Sequence, residues 1–179
     1  MTVRLSPARL GNSMARVLIR RPTPKDEMEF LARVRASRVL HRPWVYAPST
    51  VAQFHDYLQR VSKPENAAFF VCLREEQSIV GVINISNVVL GAFRSGYLGF
   101  YCFSGHERRG LMREGLEAVV QHAFVKLKLH RLEANIQPDN VASRRLVKAC
   151  GFSKEGYSPR YLKIGGRWRD HERWAIVAT

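Results

Sequence analysis

Cysteine is scarce in this sequence: Cys72, Cys102 and Cys150 are scattered and odd in number. No C-x-x-C pair occurs and no Cys/His set has zinc spacing. That excludes a disulfide framework and a structural zinc, and it points to reduced, mostly buried thiols in a cytosolic chain. Long apolar runs are also missing, none approaching the roughly 18 residues needed to span a bilayer. The N-terminal region carries Arg4, Arg9, Arg16, Arg20 and Arg21 without a continuous apolar stretch, which argues against a secretory signal. There is no internal repeat, low-complexity segment or linker. No Ser-His-Asp or Cys-His signature points to a covalent nucleophile. Acidic residues are few: 15 Asp and Glu face 29 Lys and Arg, for a net charge of +14. That balance fits solvated basic faces, a polyanionic ligand, an acidic substrate or an RNA-rich neighbourhood, and charge alone does not choose among them.

What is present is an ordinary globular composition, 46% hydrophobic and 25% charged, over 179 residues. This length suits one domain with a sizeable core. Residues 1–15 lack periodicity and read as an arm, with the domain over 16–179. Arg16 to Arg21 is a short β-branched run, a first strand. Pro22, Pro24 and Asp26 start a helix to about Leu40, with Met28, Leu31, Val34 and Val39 at helical spacing. His41 to Pro48 breaks it. Trp44 and Tyr46 in this loop either pack over the core or wall a cleft. Ser49 is placed to cap a second helix carrying Phe54, Tyr57, Leu58 and Val61 and ending by Pro64.

Three strands at hairpin spacing follow, Ala68–Leu73, Ile79–Ser86 and Tyr97–Phe103, and predict an antiparallel meander. Gly81, Gly96 and Gly99 hint at bulges or close backbone approach. From Gly110 the period changes to 3.6, with Leu116, Val119, Val120, Ala123, Phe124 and Leu127 on one face. Arg131–Ile136, reached through that helix, should lie parallel to the preceding strand. Pro138-Asp139-Asn140 is a turn, Val141–Cys150 a short helix ended by Gly151, and Phe152–Ile164 and Arg167–Val177 a hairpin about Gly165-Gly166. The fold class is a mixed α/β domain with about four helices. Within it, the strand–turn–helix of Ser95 to Gly151 is a place to hold an anion. Helix-start N–H groups point outward there, and the dipole favours negative charge.

This order of elements, with Asn140-x-x-Ser143-x-x-Leu146-x-x-x-x-Gly151-Phe152 after a strand starting Arg131-Leu132, resembles the GNAT family of acetyl-coenzyme A N-acetyltransferases. The likeness runs from about Arg16 to Val177. It is nearest the RimJ/RimL type, which acetylates the N-terminal amine of ribosomal proteins. That narrower likeness rests on Gly81-Val82-Ile83-Asn84, Ser86-Asn87-Val88-Val89, Tyr97-Leu98-Gly99, Gly110-Leu111-Met112, Tyr161-Leu162 and Trp168-Arg169-Asp170-His171. The resemblance implies a mostly antiparallel sheet splayed between its fourth and fifth strands, with acetyl-coenzyme A as cofactor. It implies a protein N-terminus as acceptor in the cytoplasm, direct attack in a ternary complex, no metal and no membrane. Monomer and homodimer both stay open.

The resemblance also distributes roles. Arg108, Arg109, Gly110, Leu111 and Met112 would hold the pyrophosphate, although Arg108 stands where the family's loop usually has a glycine. Arg113 would add charge, and Arg144, Arg145 or Lys148 could meet the nucleotide. Tyr101, Cys102 and Phe103 would line the pantetheine, with the N–H of Tyr101 or Cys102 facing the thioester oxygen. Asn140 either binds cofactor amides or only caps its helix. Ser143 either hydrogen-bonds the leaving sulfur or satisfies local backbone. Val147 and Asn135 stand where some relatives keep an acid and a base. Glu133 is then the substitute base, with Glu107, Asp170 and His171 as further candidates. Trp44, Tyr46, Asn84, Tyr97, Tyr161 and Trp168 would wall the acceptor. Two other readings stay open: a GNAT enzyme for a small-molecule amine, and a cofactor-impaired GNAT fold that binds RNA or the ribosome weakly through its basic surface.

Overall fold

A computed structural model of the protein describes residues 15–178. The expected arm, residues 1–15, therefore lies outside the described residues but for Ala15. A mixed sheet of seven strands has the order β1-β2-β3-β4-β5-β7-β6. Strand β1 (Val17–Arg20) lies at one edge, followed by β2 (Ala67–Leu73), β3 (Ile79–Val89) and β4 (Ser95–Cys102), each antiparallel to the last. Helix α4 (Leu111–Val125) then crosses to β5 (Arg131–Ile136), which runs parallel to β4. Helix α5 (Val141–Ala149) leads to the hairpin of β6 (Ser153–Ile164) and β7 (Arg167–Val177). The β4–β5 ladder runs only from Ser95↔Arg131 to Leu98↔Ala134. Beyond it the strands part, leaving Gly99–Cys102 and Asn135–Ile136 facing across a gap.

Alternation of side chains sorts the sheet's two faces. One face joins Val71, Ile83, Ile85, Leu132 and Ala134 to Leu116, Val119 and Ala123 of α4. The other joins Phe70, Val82 and Phe103 to Phe30, Phe54 and Tyr57. These last two residues come from α3 (Val51–Ser62) and Phe30 from α1 (Glu27–Ala36). Phe30 sits 4.8 Å from Phe54 and edge-on to Phe103 at 5.9 Å between ring centroids. Burying such a ring contributes about 1.5–3 kcal/mol.

The first helix differs from expectation in two ways. Its buried face is Phe30, Leu31 and Val34, while Met28 and Val39 are 84% and 91% exposed. Phe30 and Met28 are about 200° apart around a helix of roughly 100° per residue, so only one can face the sheet. The helix also divides at Ser37, and α2 (Arg38–His41) follows, giving five α-helices among the described residues. The Ser37 hydroxyl donates to the Arg33 carbonyl at 2.7 Å and accepts the Ser104 N–H at 2.9 Å, competing with the helix ladder. The second helix is capped by Thr50, which accepts the Gln53 N–H, rather than by Ser49. Gly81 does mark a close approach: a Cβ there would fall 2.5 Å from Tyr101 O. Gly99 does not, because a Cβ there would meet nothing within 4 Å. It opens onto the gap instead.

Candidate active site

The gap between β4 and β5 widens into a cleft of about 1120 Å³, lined by both strands, the β4–α4 loop, the start of α5, the end of α2 and the β6–β7 hairpin. A smaller apolar groove of about 590 Å³, around Leu58, Val61, Val88 and Leu90, lies away from it.

Ladder parity decides which β4 backbone groups face the gap. The Phe103 N–H donates to Val80 O at 2.8 Å, and antiparallel pairs alternate, so Tyr101, opposite Val82, also turns its backbone toward β3. Phe100 and Cys102 turn theirs outward. His41 Nε2 donates to Cys102 O at 2.9 Å, which confirms the direction and leaves the Cys102 N–H at the gap. Of the two donors considered from the sequence, the ladder thus retains Cys102 and removes Tyr101. Phe103 is corrected outright: it is fully buried in the aromatic core and its N–H is spent. Tyr101 still lines the cleft through its ring, and its buried hydroxyl has no partner. Burial raises that hydroxyl's pKa well above the ordinary value and keeps it protonated. The same cause pushes the Cys102 and Cys150 thiols up to about 12, so neither supplies a thiolate nucleophile near neutral pH.

The loop before α4 is shaped by left-handed residues. Arg108 has φ +60° and Gly110, the N-cap of α4, has φ +77°. Arg108, standing where the loop motif usually has a glycine, thus adopts the conformation that favours glycine. The Arg113 and Glu114 N–H groups return to Gly110 O, and the N–H groups of Leu111 and Met112 head the helix without a preceding acceptor. Arg16 holds the loop from outside. Its Nε donates to Glu114 at 2.7 Å and its Nη2 to Arg109 O at 3.0 Å. Arg108, Gly110, Leu111 and Met112 line the cleft; the exposed Arg109 side chain does not. Arg113 is paired with Glu117 at 2.8 Å.

On α5, the Asn140 side chain accepts the Ser143 N–H at 3.1 Å, so it is a cap, and its amide nitrogen stays free. Ser143, Asn140 and Arg145 line the cleft. Arg144 turns away to Pro138 O and Glu172, each at 2.9 Å. Asn135 Oδ1 is buried on β5 with no partner and lines the same cleft.

The far end is walled by His41, Trp44, Leu162, Ile164 and His171. The His171 Nδ1 lies 2.9 Å from Arg169 O, an acceptor, so the proton sits on Nδ1 and Nε2 carries a lone pair. Burial lowers its pKa and keeps it neutral. The other acceptor-side residues read from the sequence sit around this wall. Tyr46 rests on Gly165 at the hairpin tip. Asn84 accepts from Tyr57 Oη at 2.9 Å behind the cleft. Tyr97 meets Tyr161, and Trp168 is 60% exposed. Glu133 is held by Arg131 at 2.8 Å and does not line the cleft. Asp170 is bound to Tyr157 and to the Arg160 N–H. Glu107 lines the cleft but is engaged by the Gly105 N–H at 2.6 Å. Sequence reasoning missed His41 and His106. The signal for His41 was its place at the end of the buried Phe30–Val34–Ser37 stripe.

Residues 16–153 match the model of the acetyltransferase (GNAT) domain family. The probable N-acetyltransferase YjcK of Bacillus subtilis is 34% identical over 122 residues, 68% of this chain and 67% of that one. The [ribosomal protein uS5]-alanine N-acetyltransferase of Escherichia coli is 41% identical over 115 residues, 63% of this chain and 59% of that relative's length. Among solved structures, Mycobacterium smegmatis RimJ in complex with CoA-disulfide superposes with a TM-score of 0.84 at 28% identity, covering 90% of this chain and 82% of that one.

Proposed function

Because the chain belongs to the GNAT acetyltransferase family, we propose that it transfers acetyl from acetyl-coenzyme A to the N-terminal α-amine of a protein, a ribosomal protein beginning with alanine. The observation that carries this reading is the β4–β5 gap running into the left-handed loop at the start of α4. A pantetheine arm presents amide groups at intervals, and the gap offers it matching polar atoms. These are the Phe100 backbone groups on one side, with the Cys102 N–H left for the acyl oxygen, and the orphaned Asn135 Oδ1 on the other. The residues present therefore fit the cofactor. The pyrophosphate belongs at the N–H groups of Gly110, Leu111 and Met112, where the dipole of α4 favours an anion.

The cofactor supplies an acetyl group activated as a thioester. The chain's own residues do the rest. The Cys102 N–H donates to the acyl oxygen where negative charge gathers. The Ser143 hydroxyl donates to the departing sulfur. The His171 Nε2 lone pair takes the amine's proton, directly or through water, in place of Glu133. An α-amine with a pKa near 8 already has roughly a tenth of its molecules neutral at pH 7, whereas a lysine near 10.4 has far fewer, so weak bases suffice for the former.

In its charge, the cleft lining supports a peptide over a polyamine as acceptor. Its only carboxylate among the described residues is Glu107, while Arg108, Arg113 and Arg145 line it too. A polyamine would find little to pair with there. The basic surface suits weak contact with an RNA-rich particle in the cytoplasm, and no described helix is long and apolar enough to cross a membrane. The test is mass spectrometry of acetylation with a peptide beginning in alanine, the same peptide with a blocked amine, and spermidine. Acetylation of the free-amine peptide alone is expected. Turnover of spermidine alone would replace this reading with a small-amine acetyltransferase.

A further inference from the structure

Five arginines among the described residues are half-buried: Arg20, Arg33, Arg131, Arg144 and Arg169. Four have carboxylate partners, Arg20 with Asp26 at 2.6 Å, Arg33 with Glu29 at 2.7 Å, Arg131 with Glu133 at 2.8 Å and Arg144 with Glu172 at 2.9 Å. Arg169 has none, and its Nε is buried without any hydrogen-bond partner. The Arg144 Nε likewise makes no hydrogen bond, but its guanidinium lies against Glu172. Arg169 is half-buried with no carboxylate beside it, and a partly desolvated guanidinium of that kind is completed by an anion from outside.

The hairpin register says where that anion would come from. Arg169 pairs with Leu162 and Arg167 with Ile164, and directly opposed residues share a face of the sheet. Leu162 and Ile164 line the cleft, as does His171 two residues along on the same face as Arg169. Arg169 and the exposed Arg167 thus share the hairpin face of these cleft-lining residues, beside the cleft rather than in its lining, and away from the Arg108–Met112 loop assigned to pyrophosphate. Asp170, the nearest carboxylate in sequence, is on the other face and bound to Tyr157 and the Arg160 N–H.

We propose that Arg169, assisted by Arg167, forms a carboxylate subsite that selects acceptor chains with an acidic side chain close behind the free α-amine. This rests on the α-amine reading above and adds a specificity rule to it. Arginine's planar fork suits a carboxylate in two-point contact, and a lysine there would give only a point charge.

The test measures kcat/KM for three peptides that begin with alanine and continue with two glutamates, two glutamines or two lysines. The glutamate peptide is expected to lead the glutamine one by roughly tenfold, the equivalent of one charge-assisted contact. Arg169→Gln should bring that ratio toward one, Arg169→Lys should keep part of it, and Arg169→Glu should reverse the order in favour of the lysine peptide. A merely structural arginine would lower all three rates together and leave the ratios alone, which overturns the subsite. Equal rates for the three peptides with the unaltered protein would also overturn it, with the α-amine reading intact. If no peptide is acetylated while coenzyme A binds, both fall. Should Arg169 variants misfold, Arg167→Glu provides the same ratio test at an exposed position.

Discussion

The two ends of the cleft are built by different means. At the α4 end the polar groups are mostly backbone: the N–H groups of Gly110 to Met112 and the outward-facing edge of Phe100 and Cys102. At the hairpin end they are side chains drawn from α2, β4 and β7, namely His41, Tyr101 and His171. A backbone site depends on φ and register more than on side-chain identity. Its weak points are the positions where only glycine is at ease. A side-chain site depends on each residue separately, and it can change acceptor without disturbing the cofactor.

The largest effect should therefore come from placing bulk in the backbone site. Gly110 has φ +77°, and a Cβ there would lie 3.2 Å from the Arg16 guanidinium that braces the loop. A non-glycine residue in that conformation costs about 1–2 kcal/mol before any obstruction. Gly110→Trp should weaken coenzyme A binding by more than about thirtyfold in calorimetry. Undiminished binding would mean that the pyrophosphate sits elsewhere and that the contrast between the two ends is misdrawn.

Next in size is Ser143, at the junction of the two ends. If its hydroxyl stabilises the departing sulfur, Ser143→Ala should lower kcat by about tenfold or somewhat more, the worth of one hydrogen bond to a charged group. Coenzyme A affinity should stay the same. Turnover unchanged in stopped-flow or steady-state assays would reduce Ser143 to a helix-start residue.

The same contrast explains what could be read before the structure was known. Strand β5 was legible to the residue, Arg131–Ile136, because its apolar and polar residues alternate between clear stops. The departure at Arg108 from the loop's usual glycine was legible, but the left-handed conformation of Arg108 and Gly110 was not read from it. The parity of β4 was not legible either. Whether Tyr101 or Cys102 faces the gap depends on Phe103 pairing with Val80, which lies on another strand. Phe103 was misplaced for the same reason. His41 carried a signal only for burial, at the end of the Phe30–Val34–Ser37 stripe; its role at the site depends on Cys102 O, 61 positions away. Helix α1 was read on the register of Met28, Leu31, Val34 and Val39, and the stacking of Phe30 on Phe70 of β2, a tertiary contact, turned its buried face to Phe30 instead.

A smaller effect should appear in stability against pH, and it belongs to the side-chain end. His41 and His171 are both buried, and burial lowers the pKa of each. The unfolded chain then binds more protons than the folded one as pH falls. The stabilising contribution is fully present above the unfolded value of 6.5 and is lost as pH falls through it toward the lower folded values. The melting temperature should drop on going from pH 7.5 to 5.5, and His171→Gln should flatten that drop. Carboxylates held by cations act at lower pH: Lys154 and Arg144 hold Glu172 below the ordinary 4.5 despite the opposing desolvation. A melting temperature that rose with acidification over this range would contradict the neutral assignment of the two histidines.

The smallest effect on stability concerns Arg108, where strain and charge act in opposite directions within the backbone site. Its φ of +60° costs the native state about 1 kcal/mol that glycine would not incur. Arg108→Gly should thus raise the melting temperature by roughly 2–4 °C in a chain of this size. The same substitution removes a guanidinium from the cleft lining, and a charged contact to phosphate is worth about 1.5–3 kcal/mol where it is made. If the side chain reaches the phosphate, coenzyme A affinity should fall as stability rises, because the contact outweighs the strain. Arg108→Lys, which keeps the charge and the strain, should then recover most of the affinity without the gain in stability. Opposite movement of stability and affinity would show that the chain retained an arginine at a glycine position for its charge, so that even the backbone end depends on one side chain. If both rise together, Arg108 only obstructs, and the α4 end is a backbone site throughout.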